Sequence, residues 1–151
     1  MQKSALALVV MSAVAVGIVP ESWAQNVTHS AQSQQVYWTY TGSIKPGRLN
    51  DFRQLVGEAV ANTANEPGAL EYQYNLAPDN RTFDIVERYV DSNAVVTHVN
   101  GFKEKYGKRF VADTTGTRFA VYGPVNAEAK QVLAGFKPIY MSPIDGFVRQ
   151  P

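Results

Sequence analysis

The segment from Thr82 to Val90 reads TFDIVERYV. In a strand, where successive side chains point to opposite faces, Phe83, Ile85, Glu87 and Tyr89 fall on one side, and Thr82, Asp84, Val86 and Arg88 on the other. Glu87 is therefore a carboxylate in apolar company. Further along, His98 lies four residues after Ala94, three after Val95 and four before Phe102, which places it in the apolar stripe of a helix. A carboxylate beside an imidazole holds one tautomer and raises the basicity of the ring, which is what a general base working near neutral pH requires. Trp38, Tyr40, Tyr72, Tyr74, Phe102 and Tyr106 are candidates to wall a pocket around such a pair, suited to a flat, phenolic or quinone-like ligand. A structural reading stands beside this one. Glu87 could bond to Arg88 of a second copy or to backbone, His98 could be a hydrogen-bonded core residue, and the aromatic side chains could fill core or interface.

The elements that must position these residues follow from local pattern. Val36 to Ile44 (VYWTYTGSI) is aromatic and β-branched, ends at a Lys45-Pro46-Gly47 turn, and reads as a strand. Arg48 to Glu66 spaces Leu49, Phe52, Leu55, Val56, Ala59 and Val60 at three- and four-residue steps, a helix closed by Pro67-Gly68. Ala69 to Ala77 alternates and turns through Pro78-Asp79-Asn80 into Arg81 to Val90, a β-hairpin. Asp91 caps a second helix that the pattern interrupts at Gly101 and resumes to about Ala112. Arg118 to Gly123 is a fourth strand. Strand, helix, strand, strand, helix, strand is the ferredoxin-like split βαβ order, an α+β fold in which two helices cover one face of a four-stranded sheet. The other face calls for cover, and a second subunit is a natural source of it. Asn126 to Phe136 has helical spacing and Lys137 to Val148 reads as extended. This tail could be a lid, a dimer arm or an extra strand.

In helix-strand space Glu87 and His98 should lie on opposing walls of one cavity, because the second helix packs back on the strand before it. Fourteen Lys and Arg against 13 Asp and Glu, for a formal charge of +1, give no basic field for nucleic acid or an anionic membrane. The absence of cysteine removes disulfides, thiolate metal sites and thiol nucleophiles. With one His in the folded part and no two acidic residues at ligand spacing near it, no metal site is expected. Gly101 and Gly107 form no phosphate-binding pattern, and no Gly-x-Ser-x-Gly elbow is present.

Residues 1–24 follow the plan of a secretory signal peptide: Lys3, an apolar run to Pro20, then Ser22 and Ala24 at the positions a signal peptidase reads. Cleavage after Ala24 would deliver the chain to the periplasm or outside the cell, with no membrane attachment. Residues 25–35 (QNVTHSAQSQQ) are polar and read as a flexible segment. The folded part is then 36–123, extended by 124–151.

Three stretches resemble the antibiotic biosynthesis monooxygenase family: Glu66-Pro67-Gly68-Ala69-Leu70-Glu71-Tyr72, Phe83 to Tyr89 (FDIVERY), and Asp91 to His98 (DSNAVVTH). The likeness runs over about Val36 to Gly123, and the tail from Phe119 to Arg149 looks like an extension found in some members. It implies a dimeric α+β barrel and a quinol monooxygenase-like activity: cofactor-independent oxygenation of a phenolic or hydroquinone substrate by dioxygen. In that scheme His98 is the base, Glu87 orients it, and the aromatic residues hold the ring. Haem-degrading relatives carry an Asn on the first strand, where this chain reads Val36-Tyr37-Trp38-Thr39-Tyr40. Other relatives isomerise a small phosphorylated compound. Beside the enzyme stand a non-catalytic periplasmic dimer that binds a small aromatic molecule, and a small-molecule isomerase on the same fold.

Overall fold

The computed structural model describes residues 27–28 and 34–149. The expected signal peptide and most of the polar segment 25–35 lie outside the described residues. Val27–Thr28 (β1) pairs antiparallel with Val148–Arg149 (β7), so that part of the segment is a short strand and not a free tail; these are its β-branched residues.

β2 (Val36–Ile44) runs through the middle of a five-stranded sheet and pairs antiparallel with β4 (Thr82–Tyr89) on one side and β5 (Thr114–Tyr122) on the other. β3 (Ala69–Leu76) forms the expected hairpin with β4. Its turn is held by the Asp79 carboxylate, which accepts from the backbone N–H groups of Arg81 and Thr82. The strand order is β3-β4-β2-β5-β6, which contains the ferredoxin-like arrangement and adds one strand at its edge.

α1 (Leu49–Thr63) buries Phe52, Leu55, Ala59 and Thr63 along one stripe. α2 (Ser92–Phe102) begins at Asp91, whose carboxylate accepts from the N–H groups of Asn93 and Ala94 at 2.9 Å each. The helix does not break at Gly101. It widens into a π-turn over Lys103–Gly107 and continues as α3 (Lys108–Asp113), because a glycine without a competing turn stays helical when its neighbours are packed.

β5 begins at Thr114, earlier than the apolar pattern from Arg118 indicates. Its polar first half pairs with Gly42, Ser43 and Ile44 across a bulge. Gly116 belongs to that half, where a Cβ would sit 2.1 Å from the Tyr40 hydroxyl. The tail resolves into α4 (Ala127–Leu133), capped by Asn126, then a 3₁₀ turn over Ala134–Phe136, then β6 (Ile139–Met141) parallel to β5. One of the three roles open to it, the extra strand, is present.

The helices cover one face of the sheet and enclose two adjoining clusters. Trp38, Tyr89, Val95, Val99, Phe119 and Leu133 belong to one, and Phe52, Leu55, Phe83, Ile85 and Phe110 to the other. Tyr40 packs against both. Among the described residues, no helix is long and apolar enough to cross a membrane.

Candidate functional site

His98 is buried at 4% exposure on the sheet-facing stripe of α2, between Val95 and Val99. Its Nε2 lies 3.3 Å from Oε2 of Glu87, so the strand face and the helix face bring these two groups together. The other ring nitrogen, Nδ1, lies 2.9 Å from Oε2 of Glu66. Glu66 stands in the turn that closes α1: its N–H donates to Thr63 O and its carbonyl accepts from Ala69 N–H, with Pro67-Gly68 between. No periodicity points from that turn to His98. The only sequence signal for it is its place at the head of the Glu-Pro-Gly stretch.

Glu87 is more enclosed than Glu66, with side-chain exposures of 7% and 19%. Cross-strand register sets Trp38 on one side of it and Tyr72 on the other. The Tyr89 hydroxyl donates to Glu87 Oε2 at 2.5 Å, and the Trp38 indole N–H also faces the carboxylate. Burial pushes the Glu87 carboxyl above the ordinary carboxylate range, and the neighbouring imidazole, phenol and indole donors oppose that shift without cancelling it. Arg88, the alternative partner on the sequence, points to the opposite face and lies 3.6 Å from Glu71.

Around this trio the walls are aromatic. Trp38, Tyr72, Tyr74 and Phe102 line a cavity of about 40 Å³ with Glu87 and His98, and so do Tyr40, Ile85, Val99, Phe110, Phe119, Leu133 and Phe136. Tyr72 and Tyr74 share a 2.8 Å hydroxyl contact, and the Tyr72 ring meets the His98 ring edge-on at 5.1 Å. Burial raises the phenols of Tyr40, Tyr72, Tyr74 and Tyr89 above their ordinary range, so at neutral pH they are hydroxyl donors.

Tyr106 is not on the wall. It packs outside Phe102 at 5.8 Å and its hydroxyl donates to Glu58 O at 3.3 Å, because the π-turn rotates it away from the stripe carrying His98 and Phe102. A second correction concerns the acids near His98. Spacing along the chain placed no two of them there, yet the fold delivers Glu66 and Glu87. They meet opposite ring nitrogens and do not converge on one point, and among the described residues no group of three or more His, Cys, Asp or Glu could hold a metal ion.

Sequence reasoning placed Tyr40 on the pocket wall but did not single out Tyr89, Phe119, Leu133 or Phe136 as part of this site. Tyr89 could have been found by the same two-residue period that gave Glu87. Leu133 and Phe136 come from the extension, whose docking no local pattern reveals.

Residues 39–106 match the family described as Antibiotic biosynthesis monooxygenase. Among solved structures, the chain is similar to MupZ from Pseudomonas fluorescens, with a TM-score of 0.67 and 20% identity over 78% of this chain and 91% of that one. It is also similar to a conserved protein from Methanosarcina mazei Go1, with a TM-score of 0.55 and 17% identity over 62% of this chain and 94% of that one. A third is SnoaB, a cofactor-independent oxygenase from Streptomyces nogalater, with a TM-score of 0.53 and 14% identity over 63% and 97%. At such identities the likeness is one of fold. No curated protein matches the sequence. Residues 39–106, which carry Glu66, Glu87 and His98, match the antibiotic biosynthesis monooxygenase family, and they lie on a ferredoxin-like α+β fold.

Proposed function

We propose that this protein is a cofactor-independent monooxygenase of a phenolic or quinol-type aromatic substrate, acting as a homodimer in the bacterial periplasm. The observation that carries the reading is the enclosed His98, with Nδ1 on Glu66 and Nε2 beside Glu87 in an aromatic-walled cavity. Removing the phenolic proton leaves an electron-rich phenolate that can itself reduce dioxygen, so the protein needs to take the proton and keep the ring dry. His98 and Glu87, which both line the cavity, act as one coupled base. Glu66 accepts from Nδ1 and fixes the tautomer that presents Nε2 to the cavity. The four raised tyrosines supply donors, not competing bases. The fold likeness to SnoaB, a cofactor-independent oxygenase, supports this class of chemistry.

The test is oxygen uptake by the purified chain with a panel of hydroquinones and anthrone-like phenols, without added metal or flavin. Uptake should exceed the spontaneous rate and fall at least about a hundredfold in His98→Gln, the range expected for losing a general base. Uptake no faster than the spontaneous rate across the panel would leave a binding module, whereas uptake that His98→Gln abolishes while affinity is kept marks the enzyme. The export part of the proposal is checked by mass spectrometry of protein from a periplasmic extract, which should begin at Gln25.

A further inference from the structure

The cavity at His98 is too small for the ring it is meant to receive. Its volume of about 40 Å³ has room for roughly three waters, well below the ~150 Å³ that accepts a benzene molecule. Directly outside it lies an open cleft of about 480 Å³, within the size range of small-molecule sites. One wall of four rings, Tyr40, Phe110, Phe119 and Phe136, belongs to both spaces. Cavity and cleft are therefore adjoining rooms with a shared partition.

The cleft differs from the cavity in charge. Lys45, Arg118 and Lys137 line it, and no Asp or Glu does. Lys45 is engaged, its ammonium donating to Val111 O. Neither Arg118 nor Lys137 forms an ion pair among the described residues. Three cations without a counter-ion beside a flat apolar wall form a surface for an aromatic molecule that carries negative charge.

Of the four rings in the partition, Phe136 is the one carried by the extension. Phe110 and Phe119 are buried at 4% and 5% exposure, and Tyr40 stands in the middle strand of the sheet. Phe136 instead ends a three-residue 3₁₀ turn and is followed by Lys137 at φ 54°, a left-handed conformation that non-glycine residues seldom adopt. Its ring rests on Phe119 at 6.0 Å and under the Lys103 ammonium at 5.4 Å. Beyond it a further space of about 270 Å³, lined by Phe102, Lys103 and Gly135 among others, can take the ring when it turns.

We propose that the cleft is the outer half of the binding site, that it takes the anionic substituent of an aromatic molecule, a carboxylate in the simplest case, and that Phe136 is the movable partition through which the ring reaches His98 and Glu87. The destination of the ring rests on the proposed oxygenase reading, whereas the charge preference of the cleft does not.

Two probes that differ by one carboxylate, 1-hydroxy-2-naphthoate and 1-naphthol, test it. Their own fluorescence reports binding to the full chain under anaerobic conditions, with rates taken by stopped flow. The carboxylate should bind about tenfold more tightly, and the preference should vanish in Arg118→Met/Lys137→Met and shrink with added salt. Phe136→Ala should speed association of both probes and Phe136→Trp should slow it, with Phe136→Leu near wild type as the check that the extension still docks. Equal affinities, a preference that survives loss of both charges, or no binding of either probe overturns the charged cleft. Association rates indifferent to residue 136 overturn the partition. Charge-dependent binding and gating without oxygen uptake would leave this proposal standing and remove the oxygenase reading instead.

Discussion

His98 has a carboxylate on each ring nitrogen, and the two carboxylates live in different surroundings. Glu66 is partly exposed while Glu87 faces the cavity, so a proton taken up on the cavity side has a line through the imidazole towards water. Glu66→Gln keeps an acceptor for Nδ1–H but no longer places a carboxylate beside the ring, so oxygen uptake should fall about tenfold, read as kcat/KM. Glu87 gives a stability prediction. Because burial raises its carboxyl in the folded state, the unfolded chain releases that proton at lower pH than the native one. The associated stability is full below the ordinary glutamate range and is lost as pH rises through the raised native value. Glu87→Gln removes this loss, so its urea midpoint should fall less than that of wild type between mildly acidic and neutral buffer. The meeting of Glu87 and His98 was legible in the sequence, since each lies on a face that a strand or helix period defines. Glu66 was not, because its contact is made from a turn.

At the scale of elements, the sequence is plainest where an amphipathic period is complete. α1, the β3–β4 hairpin and the Asp91 cap of α2 follow directly from spacing and turn chemistry. Asp91→Ala should lower stability by about 1 kcal/mol, read by urea denaturation, since two helix N–H groups lose their acceptor. The first half of β5 was hidden, because Thr114-Thr115-Gly116-Thr117 has no apolar alternation. Its strand character comes from pairing with β2 and from the space that Gly116 leaves for the Tyr40 hydroxyl. The extension was legible as a helix but not as a wall. Leu133 is 1% exposed and reaches both the core and the cavity. Leu133→Ala should cost about 2–5 kcal/mol in the same denaturation experiment, and it should also enlarge the cavity.

For the whole molecule, the helices of the described residues pack on one face of the sheet, and Tyr37 lies on the other. Tyr37 on that face is 44% exposed and stacks on Tyr122 with ring centroids 4.8 Å apart and planes within 4°. If a second copy covers it, light scattering should give twice the monomer mass, and Tyr37→Glu should return the monomer, because a carboxylate buried without a partner is costly. The near-neutral charge and the absence of cysteine spoke to partners and redox chemistry, and the fold class followed from element order. The internal geometry of the site did not, because it depends on how distant segments meet. One such meeting sets a sequence in time. Leu133 and Phe136 are translated after Glu66, Glu87 and His98, so the ribosome makes the reactive groups first and their enclosure last. A chain cut short after Tyr122 would carry Glu66, Glu87 and His98 without the two side chains of the extension that line their cavity.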